Sequence, residues 1–519
     1  MLDLCEYKES ADLSSLRLLE PSAGDGSFLT EIVRRLCIST EQYSISNKLL
    51  YNSISAFDID ENNVKLCREN ISSILKEFGW EDDEKKEAVN RWIRLDDFLL
   101  QDLNDFDIVV GNPPYIRSSD IPREKREMYT QVCKTMTMGT DLFVGFIEKG
   151  LRAINKDGKL CFICADRWMQ NAYGGKLRNF ILENHHMDAI IRMHGVDAFE
   201  KKVSAYPAII LINGDKKDTV FVDCEDTFNK NNVSELLNCI KNNNAEDGGK
   251  AFAVSIIPNF ECGTRPWPLT EPKLLEFIKY SSERFPQIED CGIKIGIGIA
   301  TGSDETFIST QPKIVEEERM LPLLKSEDII RSAPPVNPKH WLINPWNSDG
   351  TLVDLSEYPV LNSYFQSKRD DLLNRHIAKK NTSQWYRTID KIKNGLIETP
   401  KLLVSDLSHS SDPVLESGSF YPHHNMYWLT SDRWDLEVLG GLLMSKHVES
   451  IVEAYGVKMR GKTKRFQAQY LRLIHLPELT EIGNSVCSDL RQAFRNRDVG
   501  LATAAANDAF DLTKRRSLF

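Results

Sequence analysis

Glu20-Pro21-Ser22-Ala23-Gly24-Asp25-Gly26-Ser27-Phe28 is the stretch whose reading decides the fold. Residues 16–19 ahead of it form a short apolar run of strand character. Behind it Phe28, Leu29, Ile32, Val33 and Leu36 share one face of a helix. A strand that turns through Gly-x-Gly into a helix lets the backbone approach a ligand closely, because glycine has no Cβ and adopts positive φ freely. Outward from this turn, apolar runs recur at 54–57, 106–110, 160–164, 189–193 and 208–212, with helical stretches such as 62–76 between them. That alternation predicts a mostly parallel, Rossmann-like sheet flanked by helices.

The third glycine of a dinucleotide fingerprint is missing, since position 29 is Leu. The next strand-end acid, Asp58, comes well beyond the roughly 20 residues that NAD binding requires. Two neighbouring strands instead end in acids, Glu20 and Asp58, which suits a cationic cofactor with a free ribose diol. S-adenosylmethionine has both features. Glu20 is expected at its methionine end, Asp58 at the ribose hydroxyls, and Asp97 at the adenine amine with Phe98 and Ile59 beside the ring. The plainer reading of Asp58, Asp60 and Asp97 is that of helix caps and turn acids.

Ile108-Val109-Val110-Gly111-Asn112-Pro113-Pro114-Tyr115 reads as a buried strand stopped by two prolines at the carboxyl edge of the sheet, where ligands bind. The prolines restrict φ and remove two N–H donors, leaving carbonyls as acceptors. An amine on an aromatic ring is a poor nucleophile because its lone pair is delocalised. The Asn112 side-chain oxygen and the Pro113 carbonyl, gripping its two hydrogens, would localise that pair on nitrogen. Such chemistry calls on neither a metal nor a catalytic cysteine, and no metal-ligand set is expected. Tyr115 offers an aromatic face to a base turned out of a duplex. Stacking contributes about 1–3 kcal/mol per base, close to the few kcal/mol that flipping costs.

In order and spacing these pieces resemble the γ class of adenine-N6 DNA methyltransferases of bacterial restriction and modification systems, the TaqI-like enzymes. The resemblance rests on residues 20–28, Asp58, Asp97-Phe98, Asn112 to Tyr115, Asp141-Leu142-Phe143 with Phe146, and Phe199-Glu200-Lys201-Lys202-Val203-Ser204-Ala205. It implies a class I S-adenosylmethionine-dependent methyltransferase domain followed by a loop-rich α+β target-recognition domain. It also implies a cofactor pocket lined by Glu20, Ser22, Ala23, Gly24, Gly26, Asp58, Ile59, Asp97, Phe98, Pro114 and Phe146. Phe199 would close on the flipped adenine opposite Tyr115. Members carry a segment ahead of the first strand that folds over the methionine end of the cofactor. Only about fifteen residues precede Leu16 here, so an upstream segment or a separate subunit is expected to complete the pocket. Double-stranded DNA and a cognate restriction endonuclease are the implied partners. Release-factor glutamine and ribosomal-RNA guanine methyltransferases share Asn-Pro-Pro-Tyr but lack a large following domain, and a fused nuclease would precede the cofactor loop.

The 519 residues are too many for one ordinary core. The expected division is 1–222 catalytic, 223–260 a linker rich in Asn, Lys and Gly, 261–477 target recognition and 478–519 a helical tail. With 41% hydrophobic and 27% charged residues, the composition is that of a globular protein. The acidic N-terminus and the lack of a long apolar run argue against a signal peptide or membrane span, so a cytoplasmic location is expected. The 11 cysteines are scattered and read as reduced, with Cys161 and Cys164 as buried strand residues. A net charge of −11 is wrong for a uniform nucleic-acid binder. Local positive charge peaks at Lys458-Met459-Arg460-Gly461-Lys462-Thr463-Lys464-Arg465, and Lys458, Arg460, Lys462, Lys464 and Arg465 are the expected phosphate contacts. His423-His424-Asn425 reads as a structural or exposed turn rather than a base reader.

Overall fold

All six apolar runs become strands, and they lie in one sheet of nine. The computed structural model describes every residue except 195, 197–205, 214–217, 244–248, 250, 259, 261–262, 330–332, 457–462 and 513–519. Along the chain the first unit runs β1 (Leu18–Glu20), α1 (Ser27–Tyr43), β2 (Ile54–Asp58), α2 (Glu61–Glu77), α3 (Asp82–Trp92), β3 (Ile93–Leu95) and β4 (Phe106–Gly111). It continues with α4 (Arg123–Val132), α5 (Phe143–Ala153), β5 (Ile154–Ala165), α6 (Gly175–Asn184), β6 (His186–Arg192), β7 (Pro207–Asn213), β8 (Thr219–Cys224), α7 (Val233–Asn242) and β9 (Phe252–Ile257). The sheet order is β3-β2-β1-β4-β5-β7-β6-β8-β9. Strands β3 to β5 are parallel, while β7 runs antiparallel to both neighbours and β9 antiparallel to β8. Helices on both faces explain why central strands read as unbroken apolar runs.

The polar stretch 223–260 is not a linker. It completes β8, supplies α7 and ends in β9, which pairs with β8 from Thr219↔Ile257 to Cys224↔Phe252. Leu236 and Cys239 of α7 and Phe252 and Val254 of β9 are buried in the same core as α1. Its Asn-rich pieces are turns and caps: Asn229 accepts from Asn231 N at 3.1 Å, and Asn243 ends α7 in the left-handed conformation. Compactness accordingly divides the chain into units 1–272 and 273–519.

The first residues are also part of the first core. Leu2, Cys5, Tyr7 and Leu13 are buried there, the Tyr7 carbonyl accepts from Arg35 at 3.0 Å, and Glu6 pairs with Lys159 of β5 at 2.9 Å. They cover the sheet beside α1.

The second unit holds two four-stranded sheets. One orders Ile293–Ile297, Met426–Ser431, Lys401–Ser405 and Val414–Glu416. The other orders Ile308–Ser309, His340–Ile343, Met320–Leu324 and Tyr421–Pro422. The segment 478–519 is helical over Asn484–Asn496 and Val499–Ala509, yet it is not a separate tail. Leu490, Ala493, Phe494, Ala502, Ala506 and Phe510 are buried against Leu439, Leu442 and Phe277 in the core of this unit. No helix among the described residues is long and apolar enough to cross a membrane. The ten described cysteines are free, with Cys161 and Cys164 buried in β5.

Candidate active site

The turn after β1 is built to be open. Gly24 and Gly26 have φ of +56° and +85°, conformations that L side chains adopt rarely. A Cβ at Gly24 would meet nothing within 4 Å, whereas one at Gly26 would strike Cys67 Sγ at 2.8 Å. The first glycine leaves space and the second allows α1 to pack on α2. Asp58 holds the turn: Oδ2 accepts from Gly24 N at 2.9 Å and Oδ1 from Asp60 N at 2.8 Å. The Ala23 amide donates to Phe57 O at 2.8 Å.

Glu20 is 1% exposed, and its Oε2 has no partner among the described residues. Burial, with Asp58 and Asp25 nearby, pushes its pKa well above the usual carboxylate range. A buried carboxylate without a partner is costly and calls for a cation or a donor. Ile59 is 62% exposed, an apolar side chain in water beside Asp58. This orphaned acid, open glycine turn and exposed aliphatic fit a cationic ligand with an apolar ring.

The structure modifies the far side of the expected pocket. Asp97 already accepts from Tyr129 Oη at 2.7 Å and, as a cap, from Leu99 N at 3.2 Å. Phe98 is 2% exposed, with its ring packed 5.3 Å from Phe146 and 6.1 Å from Phe57, so little of it is open to a ligand. Asp60 is the cap of α2, as the plainer reading had it.

Gly111 joins this pocket to the next loop, since a Cβ there would lie 3.6 Å from Glu20 Cγ and 3.5 Å from Pro21 Cδ. Asn112 follows at the end of β4. It is exposed, and its carboxamide has no partner among the described residues, while Pro113 is buried and Pro114 and Tyr115 are half-buried. Burial raises the pKa of the Tyr115 phenol, with Cys164 of β5 and Asp166 just after it contributing.

Several residues around the loop were not singled out for a role in the sequence. Asp141 accepts from Ser118 N at 3.2 Å and from Tyr173 Oη at 3.3 Å, tying the loop after Tyr115 to the segment after β5. Asp166 is buried, bound by His194 Nε2 at 2.6 Å, and its Oδ1 is unpartnered among the described residues. It directly follows an apolar strand, much as Glu20 and Asp58 end theirs, and that position was the available signal. Arg178 donates to the carbonyls of Thr264 at 2.6 Å and Arg265 at 2.8 Å, and burial lowers its pKa to about 10.

Of the expected DNA contacts, Lys458, Arg460 and Lys462 lie outside the described residues, as does Phe199. Lys464 is paired with Glu449 and Glu453, and Arg465 with Asp406 at 2.6 Å. Their charges are offset within the unit, so the structure gives these two residues a structural task.

A glycine turn after β1, acids ending β1 and β2, and Asn-Pro-Pro-Tyr after β4 on this sheet define a class I methyltransferase. The model of the Eco57I restriction-modification methylase family matches residues 32–199. The chain is 36% identical over 99% of its length to the type II methyltransferase M.PaeR7I of Pseudomonas aeruginosa, covering 90% of that protein. It is 36% identical to M.BstVI of Geobacillus stearothermophilus, over 93% of this chain and 89% of that one. It belongs to this family of type II methyltransferases of restriction–modification systems. The type IIL restriction-modification enzyme MmeI, solved with DNA, shares the fold with a TM-score of 0.65 at 13% identity, over 98% of this chain and 72% of that one.

Proposed function

We propose that this chain transfers a methyl group from S-adenosylmethionine to the N6 amine of an adenine turned out of duplex DNA, marking a site against a cognate restriction endonuclease. The observation that carries this reading is the unpartnered carboxamide of Asn112, exposed one residue after Gly111, whose backbone lies against the side chain of Glu20 with its orphaned Oε2.

S-adenosylmethionine supplies, when bound, an electrophilic methyl group on a sulfonium. Glu20 and the Gly24–Gly26 turn hold its cationic end, Asp58 the ribose hydroxyls, and Ile59 one face of its ring. Asn112 Oδ1 and the Pro113 carbonyl accept hydrogen bonds from the amine of the target base, concentrating its lone pair on nitrogen. Pro114 fixes the backbone, so these acceptors need no reorganisation during transfer. Tyr115 stacks on the base, and Phe199 is proposed as its opposite wall. As the new C–N bond forms, the methyl–sulfur bond breaks with its electron pair left on sulfur as a neutral thioether, and one amine proton becomes acidic and passes to solvent from the position held by the two acceptors. Lys458, Arg460 and Lys462 are proposed phosphate contacts. Ser22, Ala23, Asp97, Phe98 and Phe146 frame the cofactor pocket, Asp97 and Phe98 in the reduced roles described above.

The test is methylation of duplex DNA of varied sequence with labelled cofactor, followed by nucleoside mass spectrometry. N6-methyladenine at a defined sequence is expected. Label in cytosine, in release factor or in RNA in place of duplex adenine would overturn the reading.

A further inference from the structure

Three side chains of the second unit bring ligand-type atoms together far from the methyl-transfer chemistry in sequence. Asp304 lies just after the segment 296–302, and His423 and His424 form the turn between Tyr421–Pro422 and Met426–Ser431. His423 Nε2 is 3.0 Å from Asp304 Oδ2 and 2.9 Å from His424 Nδ1, and one atom from each residue lies within 4.8 Å of the others. His423 is 5% exposed, while Asp304 and His424 reach solvent.

The turn is held rigidly. His423 N donates to Leu324 O at 3.0 Å, His424 N to Ile299 O at 3.1 Å and Met426 N to His423 O at 3.0 Å. Gly298 is required for this approach, since a Cβ there would lie 2.1 Å from the His423 carbonyl oxygen. Thr301 Oγ1 donates to Asp304 Oδ1 and turns Oδ2 toward the histidines.

Proton counting shows why the trio is unusual. The Nε2 of a neutral imidazole carries either one hydrogen or one lone pair. If it carries the hydrogen and donates to Asp304, the contact with His424 has only the remainder of that hydrogen to share. If it carries the lone pair and accepts from His424, it faces a carboxylate lone pair at 3.0 Å. Neither tautomer satisfies both contacts, whereas a cation in place of the ring hydrogen between the two imidazoles would take lone pairs from Asp304 Oδ2, His423 Nε2 and His424 Nδ1 together.

We propose that Asp304, His423 and His424 bind a divalent transition-metal ion of the zinc class, clasping the opening segment of the second unit to its histidine turn. Two imidazoles and a carboxylate are a typical zinc donor set, with zinc–nitrogen and zinc–oxygen bonds of about 2.0–2.2 Å. Tetrahedral bonds of that length separate donors by roughly 3.3–3.5 Å, so seating the ion requires each contact to widen by a few tenths of an ångström. Asn425, next in the turn, donates from Nδ2 to Ser326 Oγ at 2.7 Å. With three protein ligands, one at the buried side and two at the surface, the fourth position faces solvent.

The full-length protein, stripped with chelator and held reduced, is titrated with Zn²⁺ against a chromogenic chelator, and with Co²⁺ as an optical probe. One ion per chain is expected, with the visible bands of tetrahedral Co²⁺ and no thiolate charge-transfer band. His424→Ala and Asp304→Asn alter exposed groups and should fold. Each is expected to lower affinity at least roughly tenfold, the cost of losing even an outer-shell partner. Equal affinity in the unaltered protein and both ligand variants, a thiolate signature from the buried cysteines, or no stoichiometric binding would overturn the proposal.

Discussion

A carboxylate buried as Glu20 is, beside Asp58 and Asp25 and with Oε2 unpartnered among the described residues, opposes the stability of the empty protein when it ionises. Its folded pKa is raised above the unfolded value of about 4.3. The stability linked to its proton is therefore complete below that unfolded value and is lost as pH rises through the folded one. A cationic cofactor reverses the balance, because only the ionised form binds it well. Glu20→Gln is expected to raise the melting temperature of the cofactor-free protein at pH 8 by roughly 2–4 °C per kcal/mol gained, while weakening S-adenosylmethionine binding. Thermal denaturation across pH, with and without cofactor, checks both signs. A variant that loses stability and keeps its affinity would remove Glu20 from the cofactor site.

Asn112 sets the other residue-scale expectation. Its side chain has no structural partner among the described residues, so Asn112→Ala should leave the fold and cofactor binding intact. Loss of a preorganised transition-state hydrogen bond typically lowers kcat by about 10²–10³, and a fall of that size is expected in single-turnover methylation. The contrast with Lys464 is instructive. Lys464 pairs with Glu449, itself 2% exposed, so Lys464→Ala should lower stability first. Denaturant titration set beside duplex binding separates the two effects.

Among the elements of the second unit, the helices Leu436–Met444 and Asn484–Asn496 approach closely through a pair of glycines. A Cβ at Gly441 would lie 2.3 Å from the Leu490 carbonyl oxygen, and one at Gly440 would lie 2.4 Å from the Phe494 ring. The paired glycines exist for this contact. Gly441→Ala is expected to destabilise the unit by about 1–3 kcal/mol through overpacking, read as a lower urea midpoint. No change would mean that the two helices separate easily. In the sheet, all six apolar runs became strands because burial on both faces leaves a strong hydrophobic signal. Ile93–Leu95 escaped notice since it is only three residues long with two exposed, and Thr219–Cys224 and Phe252–Ile257 were obscured by the polar segment between them.

At the scale of the whole molecule, the same error of composition misplaced two boundaries. Asn-rich and Lys-rich sequence reads as linker, yet edge strands and surface helices are polar on their outer sides. A fragment 1–272 is expected to fold with a cooperative transition, whereas 1–222 would expose the edge of Thr219–Cys224 and the apolar face that the next helix and strand cover. Removing 478–519 would strip Leu490, Phe494, Ala502, Ala506 and Phe510 from the second core. Limited proteolysis and circular dichroism should show that unit unfolded in the 1–477 product.

The sequence by itself determined the mostly parallel sheet, the glycine turn after the first strand and Asn-Pro-Pro-Tyr at its edge. These are local signals: hydrophobic period, glycine, proline and an acid at a strand end act on neighbours within a few residues. Only the tertiary structure decided the rest. Whether Asp97 is free or held by Tyr129, whether Lys464 faces a ligand or an acid, and whether His423 meets Asp304 depend on residues 15 to 119 positions apart in the chain. Side-chain charge is visible in a sequence, but the partner that offsets it is chosen by packing.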